Sequence, residues 1–104
     1  KIDKSLSLYE KASRVLSSKL GEKNKVTIHC LSKLGNALYL KQKYKEAQDN
    51  FEKVLASQKS ILNDDDPAIP DTYNSIGLIL DALGRYDDAL SYHNRALDMR
   101  LSIL

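Results

Sequence analysis

Several residue types that define whole classes of protein are scarce or absent in this chain of 104 residues. Cys30 is the single cysteine, so no disulfide can form within the chain. No apolar run approaches the roughly 20 residues that a membrane-spanning helix needs. The chain begins Lys1-Ile2-Asp3 and shows no apolar core of a secretory signal there. These absences favour a reducing interior, so we expect an intracellular, cytoplasmic protein.

The residues that catalysis and metal binding require are also sparse. The sequence has two histidines, His29 and His93. His29 and Cys30 are adjacent, so on a helix they point about 100° apart and do not share a metal. The sequence has no phosphate-cradling glycine loop, catalytic triad or paired carboxylates. We therefore expect no enzyme activity, no metal and no cofactor.

Acidic and basic residues are unevenly distributed, although the net charge is only +2. Residues 1–53 carry a balance of +6 and residues 54–104 a balance of −4. Two interpretations of this charge distribution stay open. It is either ordinary variation of surface charge, or it forms a dipolar surface that stacks head to tail or binds a dipolar ligand. The basic run Lys41–Lys45 is likewise either a solvated turn or a contact for phosphate. Nucleic acid and membranes are not expected as partners.

Two stretches of the chain share identical residues at a constant spacing of 42 positions. The identical pairs are Gly35 and Gly77, Tyr44 and Tyr86, and Ala47 and Ala89. A period between 20 and 50 residues indicates stacked supersecondary units. Such units form a solenoid whose extended surface usually binds other proteins.

Apolar residues at spacings of three and four predict five helices and no strand. The predicted ranges are 4–20, 25–41, 44–62, 67–83 and 86–104. In the two outer helices, the apolar face consists of Leu8, Tyr9, Ala12, Val15, Leu16 and Leu20, and of Tyr86, Ala89, Leu90, Leu97, Leu101 and Leu104. Short connections predict that consecutive helices are antiparallel neighbours.

Residues with special roles at helix ends support these boundaries. Asn24 is a predicted N-cap, and Gly21 fits the end of the first helix. The run Asn63–Asp66 ends the third helix, and Asp66 can cap the fourth. A calcium loop is not expected here, because the later glutamate that such a loop needs is missing. Pro70 is expected to disturb the first turn of the fourth helix, since the residue before a proline disfavours helical angles.

Small residues recur at equivalent places in the two units and predict close helix crossings. Gly35 and Ala47 fall in paired helices of one unit, as Gly77 and Ala89 do in the next. A glycine inside a helix costs about 0.5–1 kcal/mol relative to alanine. Its presence at the same place in both units therefore indicates a packing reason.

These recurring residues resemble the signature of the tetratricopeptide repeat. The residues that carry the resemblance are Leu34, Gly35, Tyr44, Ala47 and Phe51, and then Ile76, Gly77, Gly84, Tyr86 and Ala89. The period is longer than the usual 34 or so residues and is similar to the repeats of kinesin light chains. The stretches Leu34–Gln42, Asp65–Pro67 and Arg95–Arg100 are similar to that subfamily. Gln42 departs from the pattern by replacing a turn glycine, and His93 does so by standing where Phe51 predicts an aromatic ring.

The resemblance implies an all-α fold, a right-handed solenoid of five antiparallel helices. Residues 1–104 would form a single array, in which 4–20 closes a preceding repeat and 25–62 and 67–104 are full repeats. It also implies a protein-interaction scaffold that holds a peptide or partner helix in a concave groove lined by the first helix of each repeat. The implied groove residues are His29, Ser32, Lys33, Asn36 and Leu40, and Asp71, Asn74, Ser75, Leu78 and Asp81.

The same resemblance assigns one groove residue a specific role. Asn74 matches an asparagine that bonds the ligand backbone in the kinesin-light-chain type, whereas Ser32 takes that place in the first repeat. Lys33 and Asn36 are opposed by Asp71 and Asp81, so an acidic C-terminal tail is not the expected ligand.

A structural role is the alternative to a binding module. Terminal repeats normally present a polar face, but this chain ends on the apolar residues Leu101, Ile103 and Leu104. Exposed apolar surface tends to associate. The alternative hypothesis is therefore a spacer or self-association segment of a larger multi-repeat signalling or transport adaptor.

Overall fold

The computed structural model describes residues 2–104, which form five α-helices and no strand. The helices are α1 (Ile2–Leu20), α2 (Lys25–Leu40), α3 (Tyr44–Ile61), α4 (Ala68–Ala82) and α5 (Tyr86–Ile103). Every bound lies within two residues of the predicted one. Each helix packs against the next along the chain, from α1 against α2 to α4 against α5.

Side-chain caps fix the start of α2 and of α4. The Asn24 side chain accepts a hydrogen bond from the Val26 backbone N–H at 2.8 Å, and the Asp66 carboxylate accepts one from the Ala68 N–H at 2.9 Å. The predicted disturbance at Pro70 is wrong, because α4 already begins at Ala68. Pro70 is the third residue of α4, where a backbone N–H would have no partner within the helix anyway.

Three residues with left-handed backbone angles reverse the chain after helices. Gly21 has φ +82° and Gly84 has φ +79°, whereas Gln42 adopts φ +67° between α2 and α3. Gln42 and Gly84 are separated by the 42-residue period, so both turns need the same angle. A residue with a side chain pays about 1–2 kcal/mol in this region, whereas glycine does not.

Replacing Gln42 with glycine is therefore expected to raise the free energy of unfolding by about 1 kcal/mol. The gain in the free energy of unfolding is smaller than the full cost of the left-handed backbone angle, because glycine also makes the unfolded chain more flexible. Urea denaturation followed by circular dichroism measures the difference. Gly84→Ala is the matched control and should destabilise by a similar amount; an unchanged or lowered midpoint for Gln42→Gly contradicts the assigned strain.

One apolar core runs through all five helices. Its buried members are Leu6, Ile28, Leu31, Leu34, Ala37, Leu38, Ala47, Phe51, Val54, Ile76, Ile79, Leu80 and Ala89. A smaller cluster of Ile69, Tyr73 and Ala96 joins α4 to α5, and Leu55 of α3 packs against it. The core thus links the repeats to one another as well as the helices within each repeat.

The apolar faces of the two outer helices lie largely at the surface, as expected for a chain whose two ends leave apolar surface uncovered. In α1, Leu8 and Val15 are 63% and 53% exposed, whereas Leu6 is buried. In α5, Ala89 is the one residue of the apolar face that is buried. Leu97 follows Leu55 by 42 residues, and Leu55 contacts the cluster on α4. Among the described residues no helix covers the equivalent side of α5, which leaves its leucines exposed.

Close helix crossings at the two glycines are confirmed. A Cβ atom built on Gly35 would lie 2.6 Å from Phe51 Cε2 and 2.8 Å from Asn50 Nδ2. A Cβ atom on Gly77 would lie 2.6 Å from the His93 ring. The Asn50 amide also donates to the Leu31 backbone carbonyl. The crossings are close because the glycines leave room for these side chains.

Two contacts tie α1 to the rest of the chain. Cys30 is buried, with its Sγ 3.9 Å from the Tyr9 carbonyl oxygen, and burial raises the pKa of the Cys30 thiol. A protonated thiol is a poor nucleophile, so Cys30 acts as a packing residue. On the surface, Lys41 pairs with Asp3, and its hydrogen bond lowers the pKa of that carboxyl.

Candidate functional site

All ten predicted groove residues reach the surface of α2 or α4. Six are exposed, namely His29, Lys33, Asn36, Leu40, Asp71 and Leu78. Four are half-buried, namely Ser32, Asn74, Ser75 and Asp81. The two helices therefore place this set at the surface, but the surroundings of these residues differ between the repeats.

An open cavity of about 280 Å³ lies between α2, the end of α3 and the start of α4. It brings together the predicted groove residues His29 and Ser32. The cavity is lined by Lys25, Ile28, His29, Ser32, Gln58, Leu62, Asp66 and Ala68. Its volume is just below the range of about 300–1,000 Å³ for ligand pockets, so it has room for a single side chain rather than a whole small molecule.

Gln58 holds the wall of this cavity in place. Its side-chain oxygen accepts from the Thr72 hydroxyl at 2.7 Å, and its amide nitrogen donates to the Ala68 carbonyl at 3.5 Å. These bonds fix the end of α3 to the start of α4. The rim carries Lys25 and His29 on α2 and Asp66 on the opposite side, so a ligand meets both signs of charge around an apolar floor.

In the second repeat, three predicted groove residues contact α5. Arg100 pairs with Asp71, while the His93 ring lies 3.0 Å from the Asn74 amide through Nδ1 and 3.3 Å from Asp81 Oδ2 through Nε2. The fourth polar member, Ser75, donates to the Asp71 carbonyl of its own helix at 3.1 Å. This part of the groove is therefore a connected polar network.

The 42-residue register explains why the two repeats differ. Arg100 stands where Gln58 stands in the first repeat, and His93 stands where Phe51 stands. Sequence reasoning noted the change at His93 but missed Arg100, Lys25 and the cavity-lining residues of α3. The signal for Arg100 was available, because Gln58 lines one cavity with His29 of α2, and Arg100 and Asp71 stand 42 residues after these two residues.

Most of the signature residues lie inside the fold. Leu34, Gly35, Ala47, Phe51, Ile76, Gly77 and Ala89 are buried. Tyr44 is half-buried, with its ring 5.6 Å from that of Tyr39. Tyr86 differs, because it is 68% exposed. Asp81 occupies the place of Tyr39 in the second repeat, so Tyr86 has no equivalent ring to pack against.

Two properties of the described residues bear on other classes of function. None of the five helices is long and apolar enough to cross a membrane. Within residues 2–104, no group of three or more His, Cys, Asp or Glu side chains is placed to hold a metal ion.

The chain belongs to the tetratricopeptide repeat family. The family profile matches residues 1–60 and again residues 31–102. Members of this family are in general protein-interaction scaffolds, and the repeats are typically non-catalytic. The helix pairs, the buried signature and the period of 42 residues all agree with this assignment.

One curated relative matches most of the chain, and solved structures share its fold. The chain is 29% identical over 92 residues to Protein HGV2 of Halocynthia roretzi, covering 88% of this chain and 17% of that protein. It superposes on the kinesin light chain TPR-like repeats of Podosopora anserina with a TM-score of 0.90 at 16% identity, covering 99% of this chain and 49% of that one. BtubC (BKLC) from P. vanneervenii gives 0.92 at 19% identity, with coverages of 99% and 41%. The chain thus spans about a sixth of the curated relative and less than half of each of these structures.

Proposed function

We propose that this chain is a non-catalytic interaction module that binds an extended peptide or a partner helix in the groove along α2 and α4. The cavity between these two helices is the observation that carries the proposal, because it is open and has an apolar floor below a polar rim. Binding sites generally combine such a floor with a few polar groups that fix orientation. An extended ligand that crosses both helices would seat one side chain there.

Groove residues outside the cavity support the same assignment. The Asn36 and Lys33 side chains are exposed on α2, and a free asparagine amide offers both donors and an acceptor to a peptide backbone. Leu40 and Leu78 are 63% and 49% exposed. They add apolar contact area on either side of the polar positions.

The test uses peptides selected from a displayed random library on the wild-type chain, with affinities measured by fluorescence polarisation. Ser32→Phe places a ring in the cavity mouth and is expected to weaken binding at least about tenfold, equal to about 1.4 kcal/mol. Asn36→Ala is expected to weaken it less. Ser60→Phe is the matched control, since Ser60 is exposed on α3 and does not line the cavity. Equal affinities for Ser32→Phe and wild type contradict the proposal.

Self-association is the second candidate function, and the exposed leucines of α5 favour it. Leu90, Leu97, Leu101 and Leu104 are 58%, 54%, 59% and 99% exposed. At 100° per residue these four positions fall within about 60° of one another, so they form one apolar stripe. Sedimentation velocity over a range of concentrations tests it: a dimer that Leu97→Glu dissociates supports self-association, and a monomer throughout excludes it for this chain.

A further inference from the structure

A second cavity, of about 260 Å³, lies between α1, α2 and α3 and is called the acidic cavity below. Its rim carries the exposed carboxylates of Glu10 on α1 and of Glu46 and Asp49 on α3. Its floor is apolar, because it is formed by the buried side chains of Leu34 and Leu38 on α2. Its size leaves room for a single side chain rather than a whole small molecule.

The acidic cavity opens on the far side of α2 from the proposed groove. At 100° per residue, Leu34 and Leu38 lie about 160° around α2 from the groove residues Ser32 and Asn36. The acidic cavity shares no lining residue with the cavity between α2 and α4. A ligand bound here is therefore separate from one bound in the groove.

Negative charge dominates the rim of the acidic cavity. Three carboxylates line it, and Lys53 is the one cation among the lining residues. None of the ion pairs within residues 2–104 involves Glu10, Glu46 or Asp49. The rim thus presents an excess of negative charge to a ligand, and complementary charge would select a cationic one.

An unused hydrogen-bond acceptor lies at the same place. Asn50 lines the acidic cavity and is only 8% exposed. Its amide nitrogen donates to the Leu31 carbonyl, whereas its oxygen accepts no hydrogen bond from a residue that the structure describes. The oxygen is not sealed in the core either, since the buried side-chain polar atoms without a partner in residues 2–104 belong to Thr27 and Gln48. It is therefore open to a donor that enters the cavity.

The second repeat carries a large side chain where the first repeat has Asn50. Tyr92 follows Asn50 by 42 residues. It packs against both core clusters, with its ring 5.8 Å from that of Tyr73. Ser91 likewise replaces the carboxylate of Asp49. The acidic rim and the short amide are thus features of the first repeat alone, and they are not part of the repeated signature.

We propose that the acidic cavity binds an arginine side chain of a partner protein. The aliphatic part of the arginine packs on Leu34 and Leu38, while its charged end stays near the rim. A guanidinium offers five N–H donors in one plane, enough for the Asn50 oxygen and for carboxylates on both sides. It is also more weakly hydrated than an ammonium group, which favours it over lysine at a partly enclosed site.

The test uses an acetylated and amidated peptide in which one arginine, flanked by glycine and serine, carries the only charge. Binding to the labelled chain is followed by NMR. We expect the Leu34 and Leu38 methyl signals and the Asn50 amide signals to shift, with a dissociation constant on the order of 1 mM. The same peptide with citrulline, the neutral isostere of arginine, should bind at least about fivefold more weakly.

Three results with these peptides would overturn the proposal. The first is equal binding of the citrulline peptide, which would show that charge does not contribute. The second is the absence of shifts at the cavity signals up to roughly 10 mM arginine peptide. The third is equal binding of a matched lysine peptide, which would contradict the choice of a guanidinium.

Charge variants separate a local site from general attraction to the chain. Asp49→Ser copies Ser91 and should weaken binding of the arginine peptide about threefold, as the loss of one exposed ion pair predicts. Lys53→Gln removes the like charge and should strengthen binding about twofold. Asp98→Ser is the matched control, because Asp98 is exposed on α5 and does not line the cavity. Equal weakening by Asp49→Ser and Asp98→Ser would contradict a local site.

A size variant tests the cavity itself. Asn50→Tyr copies Tyr92 and should fill the acidic cavity, so the arginine peptide should no longer shift the Leu34 and Leu38 signals. Wild-type affinity in a folded Asn50→Tyr chain would overturn the proposal. Because Asn50 also bonds the Leu31 carbonyl, circular dichroism must show that this variant is helical. If it is not, Asp49→Ser and Lys53→Gln decide, since both of these positions are exposed.

Discussion

Phe51→Ala is expected to lower the free energy of unfolding by about 3–5 kcal/mol, the largest loss expected from any single substitution at the helix crossings. The Phe51 side chain is 3% exposed and belongs to the main core cluster. Its ring also fills the space left by Gly35, so truncation removes packing on α2 as well as on α3. Because a domain of this size has only about 5–15 kcal/mol of stability in total, much of it would be lost. Urea denaturation monitored by circular dichroism measures the change.

His93→Ala is the matched control for this prediction, because it lies 42 residues later at the same crossing. The His93 side chain is 32% exposed, and its truncation removes hydrogen bonds and a smaller buried surface. We expect a loss of about 1–2 kcal/mol, within the range for ordinary single substitutions. If both variants lost the same free energy of unfolding, the ring of Phe51 would contribute no more to the core than the imidazole of His93. That outcome would contradict the prediction.

The helices and their ends were predictable because their signals are local. Asn24 and Asp66 cap the helices that follow them, as their side chains predict. Gly84 follows the fourth helix as predicted, and Gln42 adopts the same positive φ without being a glycine. The prediction for Pro70 was wrong, because the effect of a proline depends on its distance from the first residue of the helix and not on the local dipeptide alone.

Apolar spacing by itself does not determine whether the faces of the outer helices are covered. The spacing of Leu90, Leu97, Leu101 and Leu104 is that of a face that packs against another helix, and the sequence pattern is the same whether or not such a helix is present. Leu8 of α1 illustrates the same point. Asn50 stands 42 residues later and is buried, whereas Leu8 is exposed, so equivalent positions differ in burial. An apolar pattern thus indicates a face that another helix can cover, whereas exposure depends on the neighbours in space.

The placement of the candidate groove residues on the surfaces of α2 and α4 was predictable, but their contacts with α5 were not. The register places Asn74 and Asp81 on one face of α4, but the partners come from α5. Arg100 is 29 residues from Asp71 in the sequence, and no local pattern links them. The two repeats carry different residues at these places, and the start of α4 walls the cavity of the first repeat, whereas no described helix follows α5. The surfaces of α2 and α4 are therefore chemically distinct despite the repeated backbone.

Gly35→Leu is expected to destabilise the chain by about 1–3 kcal/mol, because the added side chain overlaps atoms that are already packed. The first added atom would lie 2.6 Å from Phe51 Cε2 and 2.8 Å from Asn50 Nδ2. Asn50 cannot move aside without losing its hydrogen bond to the Leu31 carbonyl. This cost exceeds the gain of about 1 kcal/mol from replacing a helical glycine with a better helix former.

A double-mutant cycle isolates the contact that causes this loss. Combining Gly35→Leu with Phe51→Ala gives the leucine the space that the ring occupied, so the double variant should be more stable than the sum of the two single losses predicts. Neighbouring residues typically couple by about 0.5–3 kcal/mol in such cycles. Strict additivity in thermal or urea unfolding would mean that the glycine is not required by the ring of Phe51. In that case the close approach of α2 and α3 at Gly35 would need another explanation, with Asn50 the remaining contact.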